Sequence, residues 1–296
     1  MKKIIPFLSL SLCMAFMSCN DGYDADTAIS VYEPYTGRQV ASLKTTYTEN
    51  GNDLSFEHRF SYDAKGRIKE VNSDIVHYVE DIEFYDTTYV RCNITSRANY
   101  FYDGEKLEVE YNVSRVYPDD PSRKSSSIDG TDRGTFGNNG ALVQFSTLSL
   151  DYVTTALQRG YADGDMFYNI ARNPDGDISG YSIYRTSTDK LLLDNSKRYL
   201  YSPFQNNTNF DFSAYFGYWG VEQAVRAIRN PYYATYQLAA FGMLGATSRH
   251  LPFGIVEKNS DGKDEYIYGE WQLDSNGYPL SFIDAEGRRT EITYFN

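Results

Sequence analysis

From about residue 40 onward, apolar and polar positions alternate with a period of two. In SFEHRFSY (55–62), Phe56, His58, Phe60 and Tyr62 share one face, and Glu57, Arg59 and Ser61 share the other. In LEVEYNV (107–113), Leu107, Val109, Tyr111 and Val113 alternate with Glu108, Glu110 and Asn112. YVRCNIT (89–95) places Val90, Cys92 and Ile94 together, away from Arg91 and Asn93. Such alternation predicts antiparallel strands with one covered and one wet face.

The strands are punctuated by Asp or Asn followed by Gly. These turn signals are YDAKGRI (62–68), YDGEKL (102–107), GNNGAL (137–142), NPDGDI (173–178), NSDGKDEY (259–266), LDSNGYPL (273–280) and IDAEGRRTEI (283–292). Gly reaches positive φ at little cost and Asp or Asn bonds its own backbone, so each predicts a hairpin. Gly277 and Gly287 lie ten residues apart, the spacing of short strands in a meander.

Two stretches break the period. YPDDPSRKSSSIDGTDRG (117–134) is polar and rich in Pro, Ser and Gly, and reads as a long exposed loop. GVEQAVRAIRN (220–230) gathers Val221, Ala224, Val225 and Ile228 on one helical face and stops at Asn230-Pro231. YATYQLAAFGMLG (233–245) extends this into a short helical insertion near 220–245, placed to cap or plug the sheet. The expected fold is mainly β: one large antiparallel meander forming a barrel-like or strongly curved sheet, in a single domain spanning 39–296.

The N-terminus has a different character. Lys2-Lys3 precede the apolar run IIPFLSLSLCMAFM (4–17), too short for a spanning helix, which needs about 20 residues. A basic start, a short apolar core and a small residue before a cut form a secretory signal. The run ends Phe16-Met17-Ser18-Cys19, which resembles a bacterial lipobox. The resemblance implies removal of residues 1–18 and acylation of Cys19, with residues 19–38 as a tether. Asp21, Asp24 and Asp26 follow, as in the surface-export signal of Bacteroidetes-type lipoproteins. The implied localisation is the outer membrane, lipid-anchored, on its periplasmic face or the cell surface.

The hairpins, QNNTNFDF (205–212) and HLPFGI (250–255) resemble a family of Bacteroidetes lipoproteins that carry a domain of unknown function with a porin-like β fold. Tyr62-Asp63-Ala64-Lys65-Gly66-Arg67-Ile68 is also similar to the YD repeat of bacterial β-shell proteins. This resemblance implies fold and address, and brings no catalytic residues with it.

Charge and composition narrow the function. Loss of Lys2 and Lys3 leaves 26 basic against 40 acidic residues, a net charge of −14, which argues against nucleic acid as a partner. The chain holds 28 Tyr and 17 Phe, suited to half-buried pleated surfaces. After processing, Cys92 is the remaining thiol, in a core strand position. His58, His77 and His250 show no metal-binding spacing, and His58 reads as a core histidine. Asp119, Asp120, Asp129 and Asp132 share a loop without the spacing of a calcium site. No nucleophile-elbow, phosphate-loop or dinucleotide motif is present, so no cofactor or metal is expected. YFGYWG (215–220) and NPYYATY (230–236) supply a candidate ligand platform of Tyr218, Trp219 and Tyr232, whose competing role is core packing. The expected function is non-catalytic binding or scaffolding at the envelope, with a glycan or an envelope protein as partner. The alternative is a glycan-active hydrolase using an unidentified carboxylate pair.

Overall fold

The computed structural model describes residues 37–83, 86–137, 140–147, 166–185, 190–194, 198–213, 238, 240–243, 247–258 and 263–296. Among the described residues fifteen strands follow one another: β1 (Val40–Glu49), β2 (Asn52–Tyr62), β3 (Ile68–Glu83), β4 (Asp86–Asp103), β5 (Lys106–Val116), β6 (Ser126–Phe136), β7 (Leu142–Thr147), β8 (Met166–Arg172), β9 (Ile178–Arg185), β10 (Lys190–Asp194), β11 (Arg198–Gln205), β12 (His250–Lys258), β13 (Asp264–Leu273), β14 (Pro279–Asp284) and β15 (Arg289–Tyr294). They form one antiparallel sheet in the order β10-β9-β8-β7-β6-β5-β4-β3-β2-β1-β15-β14-β13-β12-β11. The first strand is therefore central, paired with the last through Leu43↔Ile292 and Thr45↔Thr290. Among the described residues the ladder is not closed. Its edges are β10 and β11, which are neighbours in sequence. No helix among the described residues is long and apolar enough to cross a membrane.

The predicted alternation sets the inner face. Phe56, His58 and Phe60 are buried on β2, and Leu107, Val109 and Val113 on β5. Cys92 and Ile94 lie inward on β4. Against the inner face runs the segment 206–213, joined by residues 238 and 240–243. Phe210 packs on Phe60 at 5.6 Å, on Phe212 at 5.2 Å and on Phe241 at 5.6 Å between ring centroids. Phe212 reaches Trp271 at 5.1 Å. Backbone bonds tie this filling to the wall, from Leu142 N to Met243 O at 2.6 Å and from Arg38 N to Asn207 O at 3.0 Å. Gly37 sits so close to Thr208 that a Cβ would lie 2.5 Å from its carbonyl carbon. The expected helical insertion near 220–245 lies mostly outside the described residues; Leu238 and Ala240–Met243 within it are buried in this interior.

The outer face of β2–β6 and β15 carries ion pairs. On it Arg59 pairs with Glu57 at 2.9 Å and with Asp74, Arg97 with Glu70 at 2.5 Å, Arg133 with Glu108 at 2.7 Å and Arg289 with Glu291 at 3.3 Å. Exposed pairs contribute little stability, about 0–1 kcal/mol each. Their value here is to mark the wet side. A membrane-spanning barrel turns apolar residues to lipid and polar ones inward. Strands β2–β6 do the reverse.

One expectation is corrected. The exposed loop over 117–134 is shorter, because β6 begins at Ser126. The reason is pairing. β5 offers a full edge, and β6 sets Gly130 opposite Tyr111 and Gly134 opposite Leu107, where the missing side chains make room for large partners.

Four of the expected turns share one device, while residues 138–139 and 259–262 of two others lie outside the described residues. Asp63, Asn173, Asp274 and Asp284 each accept, at Oδ1, the backbone N–H groups two and four residues later, at 2.8–3.0 Å. Gly66, Gly277 and Gly287 have φ of 79°, 82° and 79°. A Cβ on Gly287 would meet nothing within 4 Å. Gly287→Ala is therefore expected to cost about 1 kcal/mol through backbone strain alone, and Gly287→Asn less, since Asn tolerates this conformation. Urea melts of the two variants check this. A neutral Ala variant contradicts it.

Candidate functional site

Three of these turns point to a fourth that differs. In two of them the residue after Gly is an arginine that folds back on its own turn. Arg67 Nε donates to Asp63 Oδ2 at 2.7 Å and Arg288 Nε to Asp284 Oδ2 at 2.6 Å. In the third it is Tyr278. In Asn173-Pro174-Asp175-Gly176-Asp177 that place holds an acid. Asp177, its side chain 1% exposed, accepts from His250 N at 2.8 Å and from His250 Nδ1 at 2.9 Å. Asn173 Nδ2 adds a bond at 3.3 Å. Burial raises the Asp177 pKa, but the bonds from His250 and Asn173 outweigh it and leave the carboxyl below its ordinary range.

A second device meets the first here. Tyr62 donates to Val40 O at 2.8 Å, Tyr102 to Ile68 O at 2.8 Å and Tyr294 to Pro279 O at 2.6 Å. Each acceptor is the first residue of the neighbouring strand. Tyr201 of β11 makes the same bond to Ile178 O of β9 at 2.6 Å. These two strands share no ladder, so the strut here bridges the seam between the sheet's two ends. Ile178 N donates to Ser248 Oγ at 3.0 Å. Ser248 N donates to Asp211 Oδ2 at 2.5 Å, while Asp211 Oδ1 accepts from Ser213 N at 2.9 Å and from Ser213 Oγ. Side chains thus supply at this seam the partners that a ladder supplies elsewhere.

The bonds of this cluster run among its own members. An imidazole whose Nδ1 is fixed on a buried carboxylate is the orienting half of a catalytic relay. The nearby hydroxyl, Ser248 Oγ, is engaged by Ile178 N, with Tyr201 Oη 3.1 Å and Ser213 Oγ 3.3 Å away, and makes no bond to His250 among the described residues. The geometry is that of a latch.

The residues singled out from the sequence fare differently. Cys19, Tyr218, Trp219 and Tyr232 lie outside the described residues. His58 is a core histidine, 1% exposed, with Nδ1 2.8 Å from Ser73 Oγ. Three of the four loop acids, Asp120, Asp129 and Asp132, have separate surroundings. Asp120 takes Ser122 N at 3.0 Å and Arg123 Nε at 3.1 Å, Asp129 takes Asn112 Nδ2 at 2.6 Å, and Asp132 is buried on the inner face. Among the described residues no group of three or more His, Cys, Asp or Glu is placed to hold a metal. The Asp177–His250 pair escaped the sequence reading. Its one sequence signal is the acid standing where Arg67 and Arg288 stand in sister turns.

The described strands form one large antiparallel meander, with ion pairs on the outer face of β2–β6 and side chains packed against the inner face. Among solved structures the chain is similar to a porin-like protein from Bacteroides uniformis, with a TM-score of 0.50 and 13% identity over 90% of this chain and 100% of that one. It also matches a porin-like protein from Bacteroides vulgatus, with a TM-score of 0.32 and 12% identity over 87% of this chain and 99% of that one. At such identities the first likeness is one of fold. No protein-family model and no curated protein matches the chain.

Proposed function

We propose that this chain is a lipoprotein held at the outer membrane through Cys19, whose β domain binds or scaffolds a glycan or partner protein at the envelope without catalysing a reaction. The observation that carries the reading is the combination of ion pairs on the outer face of β2–β6 with an interior filled by Phe210, Phe212, Phe241 and Met243. A channel needs an open lumen and a lipid-facing wall, and a water-facing domain on a tether needs neither. The fold shared with a porin-like protein of Bacteroides suits an envelope setting. The hydrolase alternative requires two carboxyl groups about 5–9.5 Å apart facing a cleft. Of the three buried carboxylates among the described residues, Asp132, Asp177 and Asp211, the last two hold backbone and side-chain donors.

Stable anchoring takes more than one acyl chain, which a triacylated cysteine supplies. Cys19→Ala is expected to abolish palmitate labelling and move the whole protein into the aqueous fraction without detergent. Palmitate incorporation that survives the substitution, or a variant still held by washed membranes, overturns the reading.

A further inference from the structure

Four tyrosines among the described residues, Tyr62, Tyr102, Tyr201 and Tyr294, are put to structural use by donating to backbone carbonyls. Tyr266 and Tyr268 are not. They lie two residues apart on the outer face of β13, 52% and 46% exposed. Their hydroxyls make no hydrogen bond among the described residues. Their ring centroids are 6.0 Å apart with planes within 19°, and Phe253 of β12 continues the row at 6.0 Å and 11° from Tyr268. Three nearly parallel rings at equal steps form a short aromatic track. Glu270, exposed, follows on the same face and offers an acceptor beside it.

We propose that Phe253, Tyr268 and Tyr266 form a stacking platform for a neutral, linear glycan. This rests on the reading of the domain as a binding module and names its ligand class and site.

Area, charge and chemistry select the occupant. An aromatic side chain buries about 150–250 Å² when fully covered, so three partly exposed rings offer roughly 300 Å². A stable protein interface needs about 800 Å² from each partner. The track is too small for a second copy or a protein partner and matches a few sugar rings. The chain carries a net charge of −12, which disfavours anionic polymers. Pyranose rings present flat C–H faces to aromatic rings and a rim of hydroxyls to the phenol groups and Glu270. A linear chain repeats those faces in step along the strand.

The test uses the full-length protein in detergent, run by affinity electrophoresis through gels containing a soluble β-1,4-glucan, a β-1,4-mannan or polygalacturonate, with a polysaccharide-free gel as reference. Retardation is expected in a neutral gel and not in polygalacturonate. The double variant Tyr266→Ala/Tyr268→Ala is expected to bind at least tenfold more weakly while keeping the wild-type melting temperature. Tyr266→Phe/Tyr268→Phe keeps the stacking faces and is expected to retain most of the binding. Three results overturn the proposal: no retardation in either neutral gel, equal retardation of the double Ala variant, or light scattering that shows a dimer lost in that variant. The Cys19→Ala fractionation is independent of all three, so failure here is distinct from failure of the lipoprotein reading.

Discussion

Replacing Phe210 by Ala is expected to lower stability by about 3–5 kcal/mol, the range for removing a fully buried phenyl ring. Phe210 is 0% exposed and holds Phe60, Phe212 and Phe241 around it, all within 5.6 Å. It belongs to the filling rather than the wall, so its loss leaves a void that the strands cannot close. Their positions are set by ladders on both sides. For a chain of this size 1 kcal/mol corresponds to roughly 2–4 °C in melting temperature, so a fall of about 10 °C is expected. Urea unfolding followed by tryptophan emission reads the effect, because Trp271 packs on the same cluster through Phe212. Phe210→Leu fills part of the void and is expected to lose less than half as much. A loss below 1 kcal/mol for Phe210→Ala would mean that the sheet holds its shape without the inner segment.

Acidification from pH 7.5 to 5.0 is expected to destabilise the protein by about 2 kcal/mol or more. Burial pushes the His58 pKa down to about 3, and burial with the Arg115 charge nearby pushes His77 down to about 4. In the unfolded chain both titrate near 6.5. Below that pH the unfolded state binds protons that the native state refuses, so the stability present above pH 6.5 falls as pH falls. Each unit costs up to 1.36 kcal/mol per group, or about 2 kcal/mol for His58 between 6.5 and 5.0. His77 is less deeply buried and adds less. Asp63, Glu70 and Asp177, whose pKa values are depressed, contribute stability above the ordinary carboxylate range and lose it at still lower pH, in the same direction. Urea midpoints at pH 7.5 and 5.0 measure the effect, and His58→Leu is expected to shrink the difference between them. Equal midpoints at the two pH values contradict the assignment.

The wall of the fold was legible wherever local chemistry and global pairing agree. The segments 55–62 and 107–113 face inward as their alternation predicts, because a strand has one side to hide and a period of two to hide it with. The Asp/Asn-to-Gly turns were legible for a similar reason: one carboxylate or amide satisfies the backbone of its own loop. Composition misled at 126–134, whose Ser, Gly and Asp content reads as loop. Whether such a segment becomes β6 depends on the free edge of β5, which no property of the segment itself reveals. The candidate site was scarcely legible. Asp177 and His250 lie 73 residues apart, and the turn acid acquires meaning only beside its partner.

The sequence alone determined that this is a β meander with Asp/Asn-Gly hairpins and which residues of its clear strands turn inward; the resemblance of its N-terminus to a lipoprotein signal rests on a contiguous motif. Those properties are local, set by side-chain period, turn conformation and a contiguous motif. The tertiary structure decided that β1 sits in the middle of the sheet, that the segment 206–213 fills the interior, that Tyr201, Ser248 and the Asp177–His250 pair latch the seam, and that Phe253, Tyr266 and Tyr268 form one exposed row. Each of these joins groups distant in the chain or across strands. Their proximity depends on register and curvature, which arise only when the whole sheet has formed.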